Sequence, residues 1–308
     1  MTTIKITEGE ADFAVPAAGK PCKTWYKVYG DLKSGIRPLV VIHGGPGATH
    51  GYVEIISQLA YIHAIPVVLY DQLGNGLSTH LPEKMGDIEF WTVQLFIDEL
   101  HNLLNHLGIH DDYALLGQSW GGMLASEYAV QQPVGLKKLI LADSPASIEL
   151  WVEAANRLRS QLPQDVQDTL TKHEKEGTTT DEAYEEATQV FYGHFLCRTK
   201  PMPEALTASF GWIKKDPTVY LTMNGPTEFN IVGSLKPWSI IDELHKINIT
   251  TLLINGRYDE AQDSTVEPFF QHIPKVKWVQ FADSAHCPHL EETERFMEVV
   301  GGYLLRDY

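Results

Sequence analysis

The sequence predicts an α/β fold: a mostly parallel central sheet flanked by helices, with an inserted helical cap. Three observations carry that expectation. Short apolar runs alternate with amphipathic stretches from about residue 22 to 145, and such alternation implies parallel strands because each helix carries the chain back across the sheet. A glycine-flanked serine, Gly117-Gln118-Ser119-Trp120-Gly121, stands between an apolar run and a helical one. After the apolar run 138–142, roughly a hundred residues pass before the next at 251–254, far more than a βα connection uses, so this segment must hold structure of its own.

The elements follow in order. Residues 38–42 read as a strand ending in the glycine-rich turn His43-Gly44-Gly45-Pro46-Gly47, and 52–60 as a crossover helix. The strand 65–70 leads into the loop 71–78, which shapes the site from below without chemistry of its own. Residues 90–100 form a second crossover helix, 113–116 a strand, and 123–130 the helix after the serine. The inserted segment reads as helical: 148–154 is amphipathic, Pro163 and Pro203 each open a helix, and Thr179-Thr180-Asp181-Glu182 has the spacing of a capping box. Strands at 251–254 and 276–281 complete the sheet. This divides the chain into a first core part (1–145), a helical cap (146–243) that forms a lid over Ser119, and a second core part (244–308).

The chemistry lies at the strand ends. A strand, a Gly-x-Ser-x-Gly turn and a helix form a nucleophile elbow, so Ser119 is the candidate nucleophile. A hydroxyl is a weak nucleophile at neutral pH and needs a base, which in turn needs an acid to fix its tautomer. Asp259 follows the strand 251–254 and His286 follows 276–281, at the sheet edge where open α/β sheets carry their sites. The order Ser119, Asp259, His286 is that of an α/β-hydrolase triad. Asp143 also follows a strand, but Asp259 is preferred as the acid. Gly45 and Trp120 are the candidate backbone donors of an oxyanion hole.

The segments HGGPG at 43–47, DQLGNGLS at 71–78, GQSWGG at 117–122, NGRYDE at 255–260 and SAHCPHLEE at 284–292 resemble the proline iminopeptidase family of α/β-hydrolases. That family includes prolyl aminopeptidases, tricorn-interacting aminopeptidase and L-amino acid amidases, and the likeness spans nearly the whole chain. The resemblance implies an α/β-hydrolase fold and a serine aminopeptidase that releases an N-terminal residue, preferably proline, from short peptides. It also implies that Glu228, in Asn224-Gly225-Pro226-Thr227-Glu228-Phe229, and Glu260 hold the α-ammonium of the substrate. Physical chemistry agrees, since two carboxylates in a partly desolvated pocket repel unless a cation sits between them. An L-amino acid amidase or a broader aminopeptidase would use the same groups. A carboxylesterase fits the paired carboxylates poorly, and a hydrolase-fold receptor without turnover is the reading from another class.

Composition bounds these readings. With 44% apolar and 21% charged residues in 308, the chain is an ordinary globular protein with enough apolar material for a large core. Its net charge of −16 argues against nucleic acid or an anionic membrane as a partner. No apolar run reaches the ~18 residues of a membrane span and the N-terminus lacks a signal-peptide core, so a cytoplasmic location is expected. Cys22, Cys197 and Cys287 are too few and too widely spaced for a disulfide framework. His286 and His289 have metal-ligand spacing but no third ligand nearby, so neither a metal nor another cofactor is expected. His289 is read as packing or capping the final helix, and His101, His106 and His110 as solvated. Phe191, Tyr192, Phe210, Trp212 and Tyr220 are read as cap core ahead of pocket lining.

Overall fold

The computed structural model describes residues 4–306. Its strands are β1 (Ile6–Phe13), β2 (Cys22–Tyr29), β3 (Leu39–Ile42), β4 (Val67–Tyr70), β5 (Tyr113–Gln118), β6 (Leu136–Ala142), β7 (Thr250–Gly256) and β8 (Val276–Phe281). They form one sheet in the order β1-β2-β4-β3-β5-β6-β7-β8. β1 with β2 and β2 with β4 are antiparallel, whereas the pairings from β4 through β8 are parallel. The parallel strands therefore end at one edge, which collects the loops that follow them.

Successive side chains of a strand point to opposite faces, and here both faces are apolar. Val40, Ile42, Val68, Leu115 and Leu139 pack on one side, with helices α2 (Val93–Leu107) and α3 (Trp120–Val130). Leu39, Val41, Leu69, Leu116 and Ile140 pack on the other, with residues of the 50–63 segment and of the C-terminal helix. Burial on both faces explains why these strands read as continuous apolar runs without polar alternation.

The structure revises several helix expectations. The helix expected over 52–60 is split into tight turns at His50–Ser57 and α1 (Gln58–His63), since Tyr52 and Glu54 are held by partners outside the segment, at Gly44 and Lys27. α2 starts at Val93, not 90, because Thr92 Oγ1 accepts the Leu95 N–H at 3.2 Å and caps the helix there.

The insertion contains α4 (Ile148–Arg159), α5 (Gln164–Glu176), α6 (Glu182–Phe195), α7 (Glu204–Lys215) and α8 (Thr218–Met223). Pro163 and Pro203 directly precede α5 and α7. The capping box at 179–182 does not form. Asp181 stands at the N-cap of α6 without a side-chain cap bond, its carboxylate 3.4 Å from His173 Nδ1 instead. The entry and exit of the insertion lie side by side, with Ile148 N–H donating to Trp238 O and Ile240 N–H to Ala146 O, each at 3.0 Å. Past β7 come α9 (Asp263–His272), α10 (Pro288–Glu291) and α11 (Thr293–Leu305). No described helix is long and apolar enough to cross a membrane.

Glu99 ties α2 to the loop after β4. Its Oε1 accepts from Thr24 Oγ1 at 2.5 Å, and the Leu73 N–H lies 2.9 and 3.0 Å from its two oxygens. Burial pushes this carboxyl from 4.5 up to about 7, against the pull of those bonds. Between about pH 4.5 and 7 the folded protein keeps a proton that the unfolded chain has released, so stability from this group is lost across that window. Thermal denaturation against pH should show the wild type losing stability relative to Glu99→Gln from pH ~4.5 to ~7 and a constant gap above. Parallel profiles would mean that Glu99 does not titrate there.

Candidate active site

Ser119 sits at the end of β5, where the chain turns into α3. Its backbone adopts φ 57° and ψ −124°, a region that costs a non-glycine residue on the order of 1–3 kcal/mol. Ser119 N–H to Ala142 O at 2.9 Å and Gly122 N–H to Ser119 O at 2.8 Å hold the turn in place. The glycines are required by close approach: a Cβ on Gly117 would meet the backbone of Gly121, and one on Gly121 would meet the Ile42 carbonyl oxygen.

The structure brings Asp259 and His286 together. His286 Nδ1 is 2.6 Å from Asp259 Oδ1, which also accepts the Ala261 N–H at 2.7 Å. The His286 main chain is fixed from two sides, its N–H donating to Leu196 O at 3.0 Å and its carbonyl accepting from Gln118 Nε2 at 2.9 Å. Ser119 and His286 line the same cavity, of about 40 Å³, with Gly45, Tyr52, Phe210 and Glu228. A second cavity, of about 20 Å³, joins Ser119, Trp120 and Gly45 to Met123, Trp151 and Glu228.

Gly45 has φ +113°, and a Cβ there would collide with the amides of Gly47 and Ala48. Trp120 opens α3, so its N–H is among those that a helix start leaves without an intrahelical acceptor. Both positions border the smaller of the two Ser119 cavities. The two loops lock together through His43 and Gln72: Gln72 N–H donates to His43 Nε2 at 3.1 Å, and Trp120 Nε1 donates to Gln72 Oε1 at 2.9 Å. Burial pulls His43 down to about 4, which keeps it a neutral structural base.

Glu228 and Glu260 are both buried. Glu228 Oε1 accepts from Tyr220 OH at 2.9 Å, its N–H lies 3.3 Å from Tyr192 OH, and its carbonyl accepts from Trp151 Nε1 at 2.6 Å. Both oxygens of Glu260 lack a hydrogen-bond partner, while Oε1 is 4.0 Å from His286 Nε2. Burial pushes Glu228 up to about 7 and Glu260 well above the usual carboxylate range, the latter raised further by Glu228 and Asp259.

Sequence reasoning missed several supports. Gly44 N–H donates to Tyr52 OH at 2.7 Å and Tyr52 OH donates to Gln118 Oε1, a chain that links the glycine-rich turn to His286. Gln118 adjoins the serine in its motif, but nothing in the sequence signals Tyr52, Trp151 or the hydroxyl of Tyr220. Trp151 also sets its ring edge against His286, with centroids 5.7 Å apart. Phe191 and Tyr192 are core of the cap, whereas Phe210 borders the first cavity. His289 is fully buried against Tyr52 and Phe296. The three cysteines are free and buried.

Comparison with known proteins identifies the family. Residues 37–293 match the family model of the alpha/beta hydrolase fold. A proline iminopeptidase of Clostridium botulinum is 35% identical over 309 residues, covering 98% of this chain and 99% of that protein. The crystal structure of VinJ superposes with a TM-score of 0.91 at 50% identity, covering 96% of this chain and 98% of that one. That of proline iminopeptidase from Mycobacterium smegmatis gives 0.88 at 44% identity, covering 97% of each chain. On these matches and the geometry above, the chain belongs to the alpha/beta hydrolases and, within them, to the proline iminopeptidase family.

Proposed function

We propose that the chain is a serine aminopeptidase that releases an N-terminal residue, preferably proline, from short peptides or amino-acid amides. The observation that carries this reading is the pair Glu228 and Glu260, two buried carboxyls beside Ser119 and His286 that have no lysine or arginine partner among the described residues, the His286 imidazole lying 4.0 Å from Glu260. An α-ammonium supplies the missing charge and several donors. A blocked amine would leave both groups buried and unpaired, so an endopeptidase or simple esterase has no use for them.

In this mechanism Ser119 Oγ attacks the carbonyl carbon of the first residue while His286 Nε2 takes the hydroxyl proton. Asp259 holds the Nδ1–H tautomer. The tetrahedral oxyanion is met by the N–H groups of Gly45 and Trp120, and His286 then protonates the leaving amine. Water attacks the acyl-enzyme by the same proton route, freeing the amino acid and Ser119. Residues 146–243 act as the cap, carrying Glu228 and closing the site to chain interiors. Cavities of about 20 and 40 Å³ hold only a few waters, so cap residues such as Phe210 move aside to admit substrate. The reading is of a cytoplasmic enzyme that needs no cofactor.

Glu228→Gln keeps shape but removes one charge from the anchor. Losing one partner of a buried charge pair costs roughly 2–5 kcal/mol, so kcat/KM on a prolyl arylamide should fall on the order of 30-fold or more. Turnover of p-nitrophenyl acetate, which has no amine, should be largely retained. Equal loss on both substrates would give Glu228 a structural role, and efficient wild-type cleavage of N-acetylated peptides would sink the aminopeptidase reading. A panel of prolyl, alanyl and phenylalanyl arylamides separates the proline preference from a broader amidase.

Ser119→Ala should lower kcat by several orders of magnitude with the fold intact, as measured by circular dichroism alongside turnover.

The pH profile tests the anchor from another side. Burial pulls His286 down, but Asp259, Glu260 and Glu228 more than offset it and push the imidazole up to about 9. The acid limb of kcat/KM, which reports the free enzyme, should therefore lie above the ~6 to 7 of an ordinary histidine. Glu260→Gln removes a negative neighbour, which lowers the His286 value and moves that limb to lower pH on p-nitrophenyl acetate. An unmoved limb would separate Glu260 from His286. On free-amine substrates activity should also fall at high pH as the substrate amine deprotonates, whereas the ester should show no such fall.

A further inference from the structure

Asp143 has no part in the mechanism above, yet it is fully buried at the end of β6 beside the acid of the triad. Its backbone occupies the left-handed region at φ 53°, and its N–H donates to Ile254 O at 2.7 Å, which anchors it across the β6–β7 pair. Its carboxyl lies within hydrogen-bonding reach of Asp259. No full hydrogen bond reaches either oxygen of Asp143 or Oδ2 of Asp259, the Gly256 amide acting only weakly on Asp143, while Asp259 Oδ1 is taken by His286 and Ala261.

Two facing carboxylates cannot both stay ionised in the interior. A single proton placed on Asp143 resolves the arrangement, because it gives Asp259 Oδ2 its missing donor and removes one of the opposed charges. A proton on Asp259 would make the same hydrogen bond but remove the negative charge that faces His286 Nδ1. The titratable groups that act on Asp143 are Asp259, Glu291 of α10, Cys287 and Tyr52, none of them a base. Burial and the Asp259 charge accordingly hold its carboxyl well above the usual range.

We propose that Asp143 is a positioning residue of this site: as a neutral carboxylic acid it donates a hydrogen bond to Asp259 Oδ2 and so keeps Oδ1 turned toward His286. The bond prevents rotation of the Asp259 carboxylate about its χ2 torsion. It also draws charge from Asp259, which makes His286 less basic than it would be beside an unpaired carboxylate. The role rests on the triad reading of Asp259 and His286, and it does not depend on which substrate is cleaved.

The test compares Asp143→Asn, Asp143→Ala and Asp259→Asn by kcat/KM against pH, on prolyl p-nitroanilide and on p-nitrophenyl acetate, with thermal midpoints alongside. D143A leaves Oδ2 unpaired and should lose about 10- to 100-fold in kcat/KM, the scale of a hydrogen bond to a charged group, with its acid limb moved to higher pH. D143N retains an N–H donor and should recover most of that loss with the limb at the wild-type position. A D143A within threefold of wild type would overturn the proposal. So would equal loss in both variants with unmoved limbs, since that pattern reports only a damaged fold. The infrared difference spectrum of wild type minus D143N at pH 7 needs no D143A protein, and it should contain the carbonyl stretch of a protonated carboxyl; its absence counts against the proposal. An active D259N beside an inactive D143N would make Asp143 itself the triad acid. If these effects appear on the ester while no free-amine arylamide is cleaved, the aminopeptidase reading fails and the Asp143 role stands.

Discussion

Asp143, Asp259, Glu228 and Glu260 are all buried around His286 at the C-terminal edge of the sheet, and an ion taken out of water costs several kcal/mol unless it is paired. That constraint organises the site. Asp259 Oδ1 is paired with His286 and the Ala261 amide, whereas its Oδ2 is without a donor. Glu228 has a tyrosine hydroxyl, and Glu260 has no donor. In the proposed mechanism an arriving ammonium completes the charge balance, which ties recognition of a free amine to the basicity of His286.

Holding these groups against their repulsion requires a stiff frame. The apolar double-faced strands provide it, since β3, β5, β6 and β7 are packed from both sides and end together. Backbone precision is added by close packing at the elbow, where Gly117 and Gly121 leave no room for a side chain. The link from Gly44 through Tyr52 and Gln118 to the His286 carbonyl then couples the glycine-rich turn to the base. A displacement at either end would be transmitted to the other, because each member has a partner on both sides.

The helices between β6 and β7 supply the surroundings of Glu228. Trp151 from α4 touches His286 with its ring and holds the Glu228 carbonyl through its indole N–H. Tyr192 and Tyr220 lie on α6 and α8 and fix the same glutamate. Three helices thus converge on one residue, two of them through its main chain and α8 through its carboxylate.

Much of this was legible in the sequence. Strand periodicity and the strand-serine-helix pattern are local, so the sheet, the elbow at Ser119 and the placing of Asp259 and His286 past strand ends followed from residue order. Helix limits were less legible, because tertiary partners decided them: Thr92 stops α2 where its hydroxyl finds an amide, and Asp181 faces His173 where a capping box was expected. The site divided in the same way. Glu228 stands more than a hundred positions from Ser119, and only the folded cap brings it to the same cavity. The supports from Tyr52, Trp151 and Tyr220, and the contact of Asp143 with Asp259, have no sequence signal. They are meetings between distant segments in a low-dielectric interior, and residue order records neither the proximity nor the burial that gives them their energy.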